Sequence, residues 1–246
     1  MNAYHPAPDI YAVDFGHTII VLRLNHDQLH AMPEEAATVW RTLECAHGDT
    51  DALTPAQQAI LAELRHLGIL RAGPPTPWPP RALIAAPRTR GSSLGTTDSA
   101  AALERLAATP LGLRLSAWLT LAAVTIAVRV LPLTTLIAAV QMACRIGRRQ
   151  ANPAQATLIL QAIRAASGAV PGRAACLETS IGAVALLALR GRAVDWHLGV
   201  ATDPVRFHAW IEPSNDQPEP IANYTPLLTA SRNLNPRQLP PCGPPY

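Results

Sequence analysis

The sequence predicts an α+β fold in two domains. Three observations carry this expectation. Short runs of alternating apolar residues over 10–31 read as strands, and capped segments with helical periodicity follow them to residue 70. A proline-dense stretch then interrupts the chain. Beyond it lie long helical runs and, late in the sequence, two further strand-like runs, the second carrying a histidine beside a tryptophan.

The bulk numbers set bounds. The chain has 246 residues, which suits one large or two small domains, and 49% of them are apolar, enough for a packed core. The net charge is only +3, and every one of the 20 basic residues is Arg. All-Arg usage reads as the mark of a GC-rich genome. No basic face is clustered beyond Arg145, Arg148 and Arg149, so nucleic acid is not an expected partner. Cys45, Cys144, Cys176 and Cys242 show no metal-ligand spacing, and no cofactor is expected. His26 and His30 are four apart, but they fall in a turn and strand, so no metal site is expected there. The N-terminus lacks a charged segment followed by an apolar one, which points to a reducing cytoplasm. The apolar runs Leu115–Val128 and Val130–Cys144 are each shorter than the ~18–20 residues that span a bilayer. They read as buried helices, with peripheral membrane contact disfavoured but left open.

In chain order, Ile10–Val13, His17–Leu24 and Gln28–Ala31 form an expected three-stranded meander, with turns at Phe15-Gly16 and Asn25-His26-Asp27. Pro33, Glu34 and Glu35 open a helix to about Ala46, whose core face is Ala37, Val39, Trp40 and Leu43. Thr54-Pro55 is an N-cap with proline at the first helical position, opening a helix to Leu67. Ile69-Leu70 can return as a strand. This order makes residues 1–73 a winged-helix-like unit. The prolines around Trp78 make 74–98 a stiff linker. From 99 onward, helices are expected over Ala100–Ala108, Leu111–Val130, Leu133–Ile146 and Ala154–Ser167. Another runs from Cys176 to Arg190, stopped by Gly191. Val194–Val200 and Phe207–Glu212 are strand candidates around a turn at Thr202-Asp203-Pro204.

The chemistry is expected at Cys176 and His208. A thiol at a helix N-terminus is favoured as thiolate by the helix dipole. An imidazole fixed on a nearby strand can take its proton and return it to a leaving amine. His208, Trp210 and Glu212 share one face of their strand. Trp210 reads either as a wall beside the base or as core. His197 is a competing base, with Asp195 two residues before it on the same face. The alternative for Cys176 is a buried structural cysteine.

Two stretches resemble known families. The runs L-x-x-M-P-E-E-A-A-T-V-W over Leu29–Trp40 and L-x-x-L-G-I-L over Leu64–Leu70 resemble the small peptide-recognition domain of the pyrroloquinoline-quinone chaperone type. The order Cys on a helix, then His on a strand is similar to the transglutaminase-like branch of the papain-type fold. Three runs carry a closer match: C-L-x-x-S-x-x-x-x-x-L-L from Cys176, L-G-V-x-x-x-P-x-x-x-H-A-W-I-E from Leu198 to Glu212, and Y-T-P-L from Tyr224. They resemble the leader peptidase of lasso-peptide biosynthesis, the B protein, here with a fused recognition domain. Pro204 stands one residue closer to Val200 than in the family pattern.

The resemblance implies a cysteine peptidase that binds the leader of a ribosomally made precursor peptide and cuts it from the core. The leader would add as a strand along Gln28, Leu29, His30 and Ala31. The freed core amine would pass to an asparagine-synthetase-like macrolactam cyclase. The family also expects an acid after the histidine. Asn223 is the favoured third member, with Asp216 and Glu219 as acidic alternatives. Two other functions fit the same residues: a non-catalytic leader-binding scaffold for the cyclase, and a thioester-forming acyltransferase.

Overall fold

The computed structural model describes residues 3–73, 78, 110–167, 176–202, 205–212 and 224–232. The chain divides into two compact units, the first holding the described residues up to 78 and the second those from 110.

The first unit begins with β1 (Tyr4–Pro6), β2 (Ile10–Asp14), β3 (Ile19–Arg23) and β4 (Gln28–Met32). β2, β3 and β4 form an antiparallel meander in that order, so β4 is an edge strand among the described residues. The chain turns into β4 through a 3-10 turn at Leu24–His26 and Asp27 at φ 51°. α1 (Glu34–Cys45) follows, with Glu34 and Glu35 in its first turn. Ala37, Val39, Trp40 and Leu43 are its buried face, as the periodicity requires. α2 (Pro55–His66) starts at a reciprocal capping box. The Thr54 hydroxyl accepts from the Gln57 backbone N–H, and the Gln57 carboxamide accepts from the Thr54 backbone N–H. β5 (Leu70–Ala72) returns to pair with β1.

Two features of this unit depart from the sequence expectation. β1 was not anticipated, because a three-residue strand containing Pro6 has no periodicity of its own. Its partner β5 lies more than sixty residues away. Trp78, expected in a stiff linker, packs edge-on against Trp40 with ring centroids 5.0 Å apart, and so extends this unit's core. The rest of 74–98 and the expected helix Ala100–Ala108 lie outside the described residues.

The second unit is helix-rich. α3 (Leu111–Val130), α4 (Leu133–Ile146) and α5 (Pro153–Ser167) precede α6 (Cys176–Leu189). Pro110 and Pro132 stand at the N-caps of α3 and α4, where a missing N–H costs nothing. Asn152 and Gln155 form a second reciprocal cap at α5. α6 is stopped by Gly191 at φ 69°. β6 (Arg149–Gln150) pairs in parallel with β7 (Arg192–Ala193). The last elements, β8 (Asp195–Thr202), β9 (Val205–Glu212) and β10 (Thr225–Ala230), form an antiparallel sheet in the order β10-β8-β9.

α3 spans Leu111–Val130, the bounds the sequence predicts, and its 20 residues include Arg114 and Arg129, which flank the uncharged run Leu115–Val128. By length and composition it is the one helix among the described residues able to cross a membrane.

Candidate active site

α6 is apolar on nearly every side, and such a helix must be buried. Ser180, Ile181, Gly182, Ala183, Val184, Leu186 and Leu187 are all buried, and the helix packs against α3, α4, α5 and β9. Gly182 faces α5, where a Cβ would meet the Ile163 side chain at an ordinary contact distance of 3.4 Å. Cys176 is the first residue of this central helix and is half-buried. Its Sγ lies 3.9 Å from the carbonyl oxygen of Phe207, within the long reach of a weak thiol donor. The thiol therefore meets the main chain of β9 one residue before His208.

The sheet is tied to the same helix. The buried indole Nε1 of Trp196 on β8 donates to the Ser180 hydroxyl at 3.0 Å. That bond turns the Trp196 face of the sheet, shared with Ile211, toward α6. Strand alternation sends His208, Trp210 and Glu212 to the other face, opposite Gly199, His197 and Asp195 of β8.

On that face the rings stack. Trp210 lies between two imidazoles, 5.2 Å from His197 at 22° and 6.1 Å from His208 at 14°. Tyr224 flanks His208 at 5.1 Å. His208 and Trp210 are both buried. Gly199 makes the stack possible. A Cβ at that position would stand 2.7 Å from the Trp210 ring and 2.8 Å from the Thr225 carbonyl oxygen.

A polar chain anchors Trp210 from the side away from His208. Its Nε1 donates to Glu212 Oε1 at 3.1 Å, and Glu212 Oε2 lies 3.8 Å from His197 Nε2. His197 Nδ1 shares a hydrogen bond with the Thr229 hydroxyl at 3.0 Å. Burial lowers the His197 pKa below its ordinary 6.5, against the opposing pull of Glu212 and Asp195. Behind the sheet, burial and then the Asp195 carboxylate push the Cys144 thiol up to about 12. Cys144 is therefore a neutral core residue.

The structure thus brings Cys176 to the main chain of β9 and places His208 in an aromatic slot on the face of that strand turned away from the one Trp196 presents to α6. Asn223 and Asp216 lie outside the described residues, as does Glu219. Gln28, Leu29 and Ala31 are exposed along the β4 edge, and His30 is half-buried. Trp210 is buried core and ring wall at once. The sequence reading left His197 with Asp195 alone; Glu212 and Thr229 are its nearer partners. The signal for Glu212 was available, since pairing the two strands through the Pro204 turn puts Trp210 opposite His197 and Glu212 one step along the same face. Among the described residues no group of three side chains could hold a metal ion.

Residues 118–229 match the family model for the transglutaminase-like superfamily. The match opens within α3 and closes within β10, so it takes in the Cys176 helix and all three strands. The helical part of the chain and its small antiparallel sheet are therefore transglutaminase-like, a fold of cysteine-protease and acyltransferase type. No curated protein and no solved structure matches the chain.

Proposed function

We propose that this chain is a cysteine peptidase that binds the leader of a ribosomally made lasso precursor peptide and hydrolyses the leader–core bond. The observation that carries the reading is the Cys176 thiol at the head of the central helix, 3.9 Å from the main chain beside His208, in a transglutaminase-like domain.

In this mechanism the His208 imidazole must reach the thiol past the main chain of β9; it then accepts the Cys176 proton, and the thiolate attacks the last carbonyl carbon of the leader. The oxyanion faces the backbone N–H groups at the start of α6. Collapse of the tetrahedral intermediate breaks the C–N bond. His208 returns the proton to the departing core amine, leaving a leader thioester on Cys176. Water, deprotonated by His208, then releases the leader acid and the thiol. Asn223, or Asp216 in its place, orients the imidazole. The stacked Trp210 limits where that ring can turn.

The β4 edge supports the recognition half of the reading, because among the described residues no strand pairs with its outer side, where a leader strand could add. The freed core amine is the nucleophile that a macrolactam cyclase of the asparagine-synthetase type requires.

Mass spectrometry of purified chain mixed with precursor peptide tests the proposal. A peptidase releases free core and a leader acid. A scaffold leaves the precursor intact, and an acyltransferase given an added amine yields leader amide instead of acid. Either of the last two results overturns the reading.

A further inference from the structure

α3 buries one face and leaves the other bare. Leu113, Ala117, Leu121 and Val124 pack into the unit against α5 and α6. The opposite side is equally apolar. Leu111, Leu115, Trp118, Leu119, Ile126 and Val130 are each between 46% and 80% exposed. At 3.6 residues per turn these six fall within roughly a third of the helix circumference, opposite the buried row. A stripe of this length on a domain surface marks something that covers it.

The charge pattern identifies the cover. From Arg105 to Leu177 the sequence has eight Arg and no Asp or Glu. Arg114 and Arg129 are exposed near the two ends of α3, and Arg145, Arg148 and Arg149 are exposed at and just past the end of α4. No ion pair engages any of these five among the described residues. A second copy of the chain fits poorly. Antiparallel pairing of the two stripes sets Arg114 of one copy beside Arg129 of the other, and parallel pairing sets each against itself. The stretch supplies no carboxylate to neutralise them. A bilayer surface bearing anionic headgroups satisfies both features, since it takes the apolar stripe and pairs with arginine at its rim. Spanning the bilayer is disfavoured because the Leu113–Val124 row would have to leave the core.

We propose that the outer face of α3 lies on an anionic lipid surface, with its apolar stripe in the headgroup boundary and Arg114 and Arg129 on the lipid phosphates. The chain is thereby a peripheral membrane protein through its helical unit. This inference is independent of the peptidase reading.

Flotation of the full chain with vesicles tests it. Vesicles of phosphatidylcholine mixed with phosphatidylglycerol should carry the chain upward, and vesicles of phosphatidylcholine alone should carry much less. The paired substitution Leu115→Glu and Ile126→Glu changes only exposed positions and should cut binding at least tenfold. Circular dichroism should match the wild type. Arg114→Gln and Arg129→Gln should each weaken binding about fivefold, and high salt should release the bound chain. Wild-type chain that does not float with anionic vesicles overturns the proposal. Unchanged binding by the double glutamate variant does the same. So does a dimer of the wild type in light scattering that the double variant dissolves, because the stripe is then a contact between copies.

Discussion

The indole of Trp210 lies 14° from parallel with the imidazole of His208, their centroids 6.1 Å apart, on successive same-face positions of β9. The base of the proposed reaction is therefore held against a plane that is itself held. Glu212 accepts the indole N–H, so it is a positioning residue acting through Trp210. Replacing it with Ala should lower kcat for precursor cleavage about tenfold with little change in KM, because orientation rather than binding is lost. Glu212→Gln keeps an acceptor and should restore most of the rate. Steady-state cleavage kinetics of the two variants check this. Equal losses in both would assign Glu212 a charge role instead.

His197, on the far side of Trp210, makes stability depend on pH. Burial disfavours its imidazolium in the folded chain. Over the range just below 6.5 the unfolded chain therefore binds more protons, and stability rises with pH there. The contribution is full above the unfolded value, is lost as pH falls from it toward the lower folded value, and levels off beneath that. Urea unfolding midpoints should fall between about pH 7 and pH 5. His197→Gln should flatten that part of the curve. A variant with the wild-type slope would place the titrating group elsewhere.

Gly199 is required by space rather than by turn geometry. Its Cβ would overlap both the Trp210 ring and the Thr225 carbonyl. Gly199→Val should cost about 1–3 kcal/mol, the range for overpacking a filled core. Near-ultraviolet circular dichroism should change as the ring stack shifts. A variant of wild-type stability and spectrum would mean that the sheet yields at this point without cost.

The β4 edge should be the leader site. Ala31→Pro removes a main-chain donor from the strand, and Leu29→Asp puts charge on its exposed side. Both should weaken leader binding by tenfold or more in fluorescence anisotropy while α1 and α2 stay folded. Unchanged affinity would move the leader to another surface.

Much of this was legible from local signals. Thr54 before Pro55, and Gly191, marked helix ends by local backbone chemistry that needs no distant partner. The alternation at His208, Trp210 and Glu212 placed three side chains on one face. What escaped was non-local. β1 exists only because Leu70–Ala72 returns to it. Trp78 docks on Trp40 although prolines surround it in sequence. The length of α3 was legible at Leu111–Val130, but counting only its uncharged run hid that the helix is long enough to cross a membrane. An arginine exposed on a helix surface interrupts hydropathy but not the helix.

The central claim is that Cys176 is the nucleophile. The most direct measurement is cleavage of the precursor peptide by wild type and by Cys176→Ala, with leader affinity measured on the same samples. The account predicts that the alanine variant binds leader as tightly as wild type and releases no core. Release of core at the wild-type rate by Cys176→Ala would contradict it.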